Sequence, residues 1–176
     1  MKKIAICGGH LTPALAIISK LKSSDWEIIY FGRKYALEGD LAESIESHVL
    51  RKKSIPYIYI TTGRLQRSIT RYTLMSILKF PYGFYQSFVH LLRERPQVIL
   101  TFGGYLSVPV VICAWILSIP VVIHEQTLFP GLANRTLQIL ARKICITWPE
   151  TSKFFASKKT IITGNPIRQE ILEIRK

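Results

Sequence analysis

Two side chains with the chemistry of a general base come within three residues of the end of an apolar run. His10 comes after Gly8 and Gly9, and Glu125 comes after the β-branched run 121–123. Because the unperturbed pKa of histidine is near neutrality, His10 is a candidate to take a proton from a hydroxyl or to donate a hydrogen bond to one. Glu125 is a candidate to orient or deprotonate a hydroxyl. A capping role for His10 and an ion pair for Glu125 are the structural alternatives.

Two glycine pairs supply backbone freedom close to these side chains. Gly8 and Gly9 allow a tight turn into a helix whose predicted N-cap is Thr12, and the free amides of such a helix start favour a phosphate or a developing negative charge. Gly103 and Gly104 follow another apolar run, where the lack of side chains permits close approach of a ligand or of a neighbouring loop. The first pair is not the dinucleotide-binding fingerprint, and a purely structural tight turn is the alternative interpretation.

An alternation of short apolar strands and helices positions these residues. Helical stretches lie between most of the predicted strands and include a loose helix over 36–48. Strands are predicted at 4–7, 26–31, 56–60, 98–101, 121–124, 144–147 and 160–162. They are too apolar for a sheet with one face in solvent, so the pattern predicts an α/β fold with a doubly wound, Rossmann-like parallel sheet. Ligands bind such sheets beyond the carboxyl ends of the strands, and polar or glycine-rich motifs follow four of these strands.

Composition limits the partners and the compartment. The chain of 176 residues has 24 Lys and Arg against 11 Asp and Glu, and its net charge of +13 favours a polyanion, a phosphate-bearing ligand or an anionic membrane surface. Its three cysteines are odd in number and lack metal-ligand spacing, so they are predicted to be reduced, buried thiols in a cytoplasmic protein without a metal site. The apolar run at the start is too short for a signal peptide.

The uncharged stretch 105–124 is long enough to cross a bilayer, but its prolines argue against a span. Pro109 fits the first turn of a helix, and Pro120 separates that helix from a β-branched run. The stretch is therefore predicted to be a buried helix followed by a buried strand.

The segment 64–95 carries two apolar stripes at helical spacing, although one core-facing stripe would suffice. The surplus apolar and aromatic surface, with basic residues around it and a bend expected at Pro81, predicts insertion at an anionic membrane interface. A helix buried on two sides inside a larger protein is the alternative. Because of this apolar surface, nucleic-acid binding is not expected. The predicted membrane contacts are Arg67, Arg71, Met75, Leu78, Lys79, Phe80, Tyr82 and Phe84.

Four motifs taken in order resemble those of the MurG family of glycosyltransferases, and the resemblance runs over nearly the whole chain. They are Phe102-Gly-Gly-Tyr-Leu-Ser-Val-Pro, the run from Ala114 through His124-Glu-Gln, Pro130-Gly-Leu-Ala-Asn-Arg, and Gly164-Asn-Pro-Ile-Arg. The resemblance implies an inverting hexosyltransferase of the GT-B fold. It implies transfer of N-acetylglucosamine from its UDP donor to the 4-hydroxyl of the muramoyl sugar of lipid I, with no cofactor and no obligatory metal.

By position, the resemblance makes His10 and Glu125 the candidate catalytic residues. It places residues 1–165 as an acceptor-binding domain and 166–176 as the start of a linker toward a donor-binding domain, on the cytoplasmic face of the membrane. The predicted substrate-binding residues are Gly8, Gly9, Thr12, Gly103, Gly104, Tyr105, Gln126, Thr127, Asn134, Asn165 and Arg168.

The sequence departs from the family pattern at two positions and lacks its second half. The first glycine loop is shorter than the family's, and Thr127 stands where the family has asparagine. Most nucleotide contacts of the family lie in the donor-binding domain, so this chain by itself is expected to be inactive. It is either a part of a longer enzyme or one subunit of a split transferase, and a non-catalytic membrane-anchoring subunit is the alternative function.

Overall fold

The computed structural model describes residues 2–22, 24–35, 42–63 and 71–173, with side chains described from residue 79 onward in the last range. The strands are β1 (Lys2–Cys7), β2 (Trp26–Gly32), β3 (Tyr57–Tyr59), β4 (Val98–Thr101), β5 (Val121–Glu125), β6 (Lys143–Ile146) and β7 (Thr160–Ile162). The helices are α1 (Leu11–Lys22), α2 (Ile45–Lys52), α3 (Arg71–Glu94), α4 (Ser107–Ile116), α5 (Leu132–Leu137) and α6 (Gln169–Glu173), with 3-10 turns at Pro149–Phe154 and Ser157–Lys159.

The strands form one parallel sheet in the order β3-β2-β1-β4-β5-β6-β7. The chain builds outward from β1 to β3 and then returns to add β4 on the other side of β1. The strand order therefore reverses between β1 and β4, which is where a doubly wound sheet leaves a crevice for ligands. The predicted fold class is confirmed.

Alternate residues of the strands enter two separate cores, one on each face of the sheet. Ile4 and Ile6 of β1 pack in a core that α1 and α2 cover, whereas Ala5 and Cys7 pack in the core that α3, α4 and α5 cover. This alternation follows from the two-residue period of a strand. Burial on both faces explains why the strand sequences are almost continuously apolar.

The predicted elements agree with the structure except near the starts of two helices. The prediction that Thr12 caps α1 is wrong, because α1 already begins at Leu11 and Thr12 lies within its first turn. Of the described part of the predicted helix over 36–48, residues 45–48 are helical and residues 42–44 are not. Ser44 is the N-cap of α2, where its hydroxyl accepts a hydrogen bond from the Ser47 amide, so the helix begins only at Ile45. Residues 36–41 lie outside the described part.

The uncharged stretch 105–124 is a helix followed by a strand, α4 and β5, as predicted. Among the described residues, no helix combines the length and apolar character needed to cross a bilayer. Two of the three cysteines, Cys7 and Cys113, are buried and Cys145 is half-buried, and all three are free thiols. Burial raises the pKa of the Cys7 and Cys113 thiols to about 11.

Candidate functional site

The loops that follow β1 and β4 are joined by backbone hydrogen bonds. The Phe102 amide donates to the Cys7 carbonyl at 2.9 Å, and the Gly9 amide donates to the Gly103 carbonyl at 3.1 Å. Gly8 has a φ of +128°, and a Cβ there would lie 2.8 Å from the Gly103 oxygen. Only glycine permits this approach, so the two glycine pairs form one backbone surface at the reversal of strand order.

His10 lies at the exposed edge of this surface, with one ring nitrogen held and the other free to act. Its Nδ1 atom is 3.1 Å from the carbonyl oxygen of Phe102. A carbonyl oxygen only accepts hydrogen bonds, so this contact assigns the ring hydrogen to Nδ1 and leaves the lone pair on Nε2. The side chain is exposed. This arrangement presents an oriented proton acceptor to a ligand in the crevice.

Two buried hydroxyls fix the loop that carries Gly103 and Gly104. Thr101 Oγ1 lies 2.6 Å from Ser107 Oγ and accepts a hydrogen bond of 3.1 Å from the Gly103 amide. Ser107 Oγ in turn donates to the Gly103 carbonyl at 2.9 Å. Both glycines have positive φ, +77° and +90°, which favours glycine at each. The loop between β4 and α4 is therefore rigidly held before any ligand binds.

Glu125 is buried, and its carboxylate organises the loop between β5 and α5. Oε1 accepts hydrogen bonds from the Thr127 amide at 2.9 Å and from its hydroxyl at 2.6 Å. Oε2 accepts from Asn134 Nδ2 at 2.9 Å and from the Gly131 amide at 3.3 Å. With both oxygens occupied and only 2% of the residue exposed, Glu125 has the geometry of a positioning residue rather than of a free base.

Asn134 connects this carboxylate to the glycine surface. A Cβ built on Gly103 would stand 2.8 Å from both terminal atoms of the Asn134 amide, so the amide lies directly against that glycine. Asn134 is 2% exposed. The loops after β4 and β5 are thus locked to each other through one side chain.

His124 brings in the loop after β7. Its Nε2 atom lies 3.1 Å from the Gly164 carbonyl, and its ring packs against Phe102 with centroids 5.5 Å apart. Burial lowers the pKa of His124, although the bond to Gly164 partly opposes the shift. A neutral His124 with its hydrogen on Nε2 therefore donates a hydrogen bond that connects β5 to the Gly164-Asn-Pro-Ile-Arg motif.

The remaining predicted residues are placed around this centre with fewer contacts. Thr12 is exposed in the first turn of α1, and Asn165 is exposed directly after Gly164. Tyr105, Gln126 and Arg168 are half-buried. Among the described residues, no hydrogen-bond partner reaches the buried Oε1 of Gln126 or Nε of Arg168.

The sequence predictions missed a polar group formed by Arg33, directly after β2, and Glu46, in the first turn of α2. Arg33 Nη2 forms an ion pair of 3.1 Å with Glu46 Oε1, and only 8% of the Glu46 side chain is exposed. Tyr57 donates a hydrogen bond of 2.9 Å to the Arg33 carbonyl, passing over Gly32, where a Cβ would overlap the tyrosine ring. Arg33 directly follows β2 at the same edge of the sheet as Gly8, and that position was the available signal.

From residue 79 onward, where its side chains are described, helix α3 separates the two apolar stripes that the sequence predicts. Phe84, Phe88 and Leu91 pack against the core, whereas other apolar and aromatic residues of the helix face solvent. The exposed ones are Tyr82, Tyr85, Val89 and Leu92. Pro81 lies inside the helix. Of the predicted membrane residues, Tyr82 belongs to the exposed stripe, Lys79 and Phe80 are half-buried, and half-buried Phe84 belongs to the core-facing stripe.

The other predictions for this segment are not tested. Arg67 lies outside the described residues, and so do the side chains of Arg71, Met75 and Leu78.

Known proteins resemble this chain in sequence and in fold. Residues 7–146 match the glycosyltransferase family 28 N-terminal domain. Two relatives are each 38% identical to this chain, one from Clostridium kluyveri and one from Bacillus thuringiensis. Both are named UDP-N-acetylglucosamine--N-acetylmuramyl-(pentapeptide) pyrophosphoryl-undecaprenol N-acetylglucosamine transferase, with the number 3 added to the name of the second. Each alignment covers 98% of this chain and 48% of the relative, so the chain spans about half the length of these relatives.

Solved structures agree on the fold. The crystal structure of Acinetobacter baumannii MurG matches with a TM-score of 0.74 at 24% identity, over 97% of this chain and 47% of that one. UDP-GlcNAc 2-epimerase from Neisseria meningitidis matches with a TM-score of 0.64 at 16% identity, over 94% and 46% of the two chains. Proteins with different named activities thus share this fold. The sequence match extends from the end of β1 to β6, and on that ground the chain belongs to glycosyltransferase family 28 and corresponds to its N-terminal domain.

Proposed function

We propose that this chain is the acceptor-binding half of an inverting glycosyltransferase. The transferred group is N-acetylglucosamine, its donor is the UDP sugar, and its acceptor is the 4-hydroxyl of a muramoyl sugar linked through pyrophosphate to undecaprenol. The names of relatives at 38% identity support this substrate pair. The single observation that carries the catalytic role is the oriented, exposed imidazole of His10 beside the joined glycine loops.

His10 is the proposed base. Its Nε2 takes the proton of the acceptor hydroxyl while the hydroxyl oxygen attacks the anomeric carbon of the donor sugar, and the bond from that carbon to the UDP oxygen breaks. Attack from the face opposite to the leaving group inverts the configuration. The Phe102 carbonyl stabilises the resulting imidazolium, because it accepts the hydrogen bond from Nδ1 in both protonation states.

The backbone around His10 suits the anionic part of the acceptor. Helix α1 begins at Leu11, one residue after His10, so the unpaired amides of its first turn, other than at Pro13, which has no N–H, lie beside the same crevice. These amides and the positive end of the helix dipole favour a phosphate group. We assign the acceptor pyrophosphate to this helix start.

Glu125 has a positioning role in this proposal. Its carboxylate fixes Thr127 and Asn134, and Asn134 fixes Gly103. Loss of this carboxylate would therefore disturb the glycine surface beside His10 without removing the base itself. The Thr127 hydroxyl donates a hydrogen bond to the Glu125 carboxylate. A threonine can therefore serve at this position, where the family pattern has asparagine.

We further propose that the exposed stripe of α3 seats the protein on the cytoplasmic face of an anionic membrane. The stripe comprises Tyr82, Tyr85, Val89 and Leu92, and Arg93 and Arg95 are exposed beside its end. Apolar side chains that enter the headgroup region and cations that contact anionic lipid together give stable peripheral binding. A lipid-linked acceptor would then reach the crevice from the same membrane.

Transfer of labelled N-acetylglucosamine from its UDP donor to a lipid I analogue tests the proposal. The chain is assayed alone, mixed with a donor-binding half, and joined to it. Product only when both halves are present is expected. His10→Ala should lower kcat by about 10²- to 10⁴-fold, the range of general-base catalysis, whereas the exposed His48→Ala on α2 should leave it unchanged.

Two other outcomes would redirect the proposal. Full activity of His10→Ala would remove this residue from the mechanism. A folded pair of halves that forms no product, while this chain still binds vesicles, would favour the non-catalytic membrane-anchoring subunit. The exposure of His10 in the crevice argues against that alternative.

A further inference from the structure

Arg33 and Glu46 line a small cavity at the edge of the crevice, and each carries a buried polar atom that has no hydrogen-bond partner among the described residues. The cavity measures about 30 Å³ and lies among Gly8, Gly9, Gly104, Tyr105 and these two side chains. Arg33 is 35% exposed in its side chain, so the cavity communicates with solvent on one side. Its size admits a water molecule or one oxygen-sized group of a ligand.

The ion pair between Arg33 and Glu46 consists of one hydrogen-bonded contact, through one guanidinium nitrogen and one carboxylate oxygen. A guanidinium and a carboxylate can form two parallel bonds, but here Arg33 Nη2 reaches Glu46 Oε1 at 3.1 Å and no second bond closes. Arg33 Nε and Glu46 Oε2 are both buried and have no hydrogen-bond partner among the residues that the structure describes. Glu46 is 6% exposed as a residue. An unpaired buried carboxylate oxygen costs free energy unless a ligand or a water completes it.

The surrounding structure holds this open pair in place. The Arg33 carbonyl accepts hydrogen bonds from Tyr57 at 2.9 Å and from Ser44 at 2.8 Å, and Ser44 also caps the helix that carries Glu46. Tyr57 stacks on Tyr30, which donates to the Gly8 carbonyl at 2.8 Å. The same hydrogen-bonded frame therefore fixes both the open pair and the first glycine loop. Such support is typical of a preorganised ligand site.

The two unpaired atoms define the chemistry of a group that would complete both of them. Arg33 Nε can only donate and Glu46 Oε2 can only accept, so the ligand must accept one hydrogen bond and donate another. A hydroxyl does both through a single oxygen, and one oxygen is what the cavity admits. A carboxylate or phosphate would meet the Glu46 oxygen as a like charge, so it does not fit.

We propose that Arg33 and Glu46 bind the 6-hydroxyl of the acceptor sugar while its 4-hydroxyl faces His10. This inference rests on the proposed function. A muramoyl sugar that is linked at C1, acylated at the C2 nitrogen and etherified at C3 keeps free hydroxyls only at C4 and C6. These two lie on the same edge of the ring, and the cavity is lined by Gly8 and Gly9, which directly precede His10.

A matched pair of soluble acceptors tests this subsite through binding alone. The 176-residue chain is titrated calorimetrically with a short-prenyl lipid I analogue and with its 6-deoxy counterpart. We expect the 6-deoxy compound to bind about tenfold more weakly, because loss of the 6-hydroxyl leaves the charged Glu46 carboxylate without a donor. This comparison uses the unmodified protein, so it does not depend on the folding of a variant.

Two carboxylate variants locate the effect. In Glu46→Gln the penalty for the 6-deoxy compound should shrink to about threefold or less, because the charged acceptor is gone. Glu43→Gln is the matched control, since Glu43 precedes the same helix and pairs with Arg51 at 3.7 Å on the surface. It should keep the full penalty. Thermal unfolding of both variants checks that they are folded.

Each remaining outcome contradicts the subsite in a different way. Equal affinity of the unmodified protein for both analogues would mean that the cavity holds only water, and the proposed function would stand. A full penalty in Glu46→Gln would assign the 6-hydroxyl to other residues. Binding of neither analogue would overturn the acceptor site itself and the subsite with it.

Discussion

The side-chain amide of Asn134 occupies the space that a side chain at Gly103 would need, and it donates a 2.9 Å hydrogen bond to the buried carboxylate of Glu125. One residue thus sets the distance between the loops that follow β4 and β5. The proposed acceptor crevice depends on this contact, because Gly103 also receives the Gly9 amide and so positions the loop that leads to His10.

Substitution of Gly103 tests the contact directly. In Gly103→Ala the new Cβ would meet the Asn134 amide at 2.8 Å in a backbone with a φ of +77°. We expect the free energy of unfolding to fall by about 2 to 4 kcal/mol from the combined steric and backbone strain. Gly9→Ala is the control, since a Cβ there meets nothing within 4 Å and the φ of Gly9 is not positive, and its effect on stability should stay within about 0.5 kcal/mol. Denaturant unfolding measures both, and equal losses would contradict the contact.

The variant Glu125→Gln tests whether the carboxylate of Glu125 acts as a hydrogen-bond acceptor that positions its loop. All four partners of the carboxylate are donors, so an amide NH₂ must face at least one N–H or O–H group. Glu125→Gln should therefore lower the free energy of unfolding by about 2 kcal/mol. The exposed Glu150→Gln should change it by less than about 0.5 kcal/mol. A Glu125→Gln protein of unchanged stability would refute the positioning role.

His124 should give the protein an acid-sensitive component of stability. Burial lowers the folded-state pKa of this histidine below the unfolded value near 6.5, so the unfolded chain binds the proton more readily. The stabilising contribution is complete above pH 6.5 and is lost as the pH falls from there through the folded pKa. Unfolding of the wild type and of His124→Gln, compared at pH 7.5, 6.5 and 5.5, measures it.

The His124→Gln variant keeps a hydrogen-bond donor for the Gly164 carbonyl, but its side chain does not titrate. Its free energy of unfolding should therefore decrease less on acidification, by a difference of roughly 1 kcal/mol for each pH unit over which the proton is taken up. Identical pH dependence of the two proteins would show that His124 does not carry this component.

Membrane binding should depend on the exposed stripe of α3 rather than on exposed apolar residues in general. The double variant Tyr85→Ser, Leu92→Ser removes side chains of residues that are 65% and 47% exposed, and binding to phosphatidylglycerol vesicles should weaken by about tenfold or more. The double control Ile45→Ser, Ile162→Ser alters residues elsewhere that are 72% and 58% exposed, and it should bind like the wild type. Sedimentation with vesicles gives the comparison, and equal binding of the two doubles would exclude the stripe.

The sequence by itself determined the fold class, the order of the strands along the chain and the glycine loops. Apolar strands buried on both faces leave a strong pattern, and so does a glycine pair at the end of each of two strands. It also predicted two stripes on α3, because helical spacing is visible without knowledge of neighbours. The start of α2 escaped prediction because the capping hydrogen bond of Ser44 competes locally with a sequence rich in helix-forming residues.

Only the tertiary structure decided which polar side chains are free and which are already occupied. His10 and Glu125 are equivalent candidates by residue type, but one faces the crevice while the other accepts four hydrogen bonds from residues up to nine positions away. Arg33 and Glu46 carry no motif, and they meet only because β2 and α2 bring their ends beside the first glycine loop. Hydrogen-bond saturation depends on distances between strands, and a sequence pattern records spacing along the chain rather than those distances.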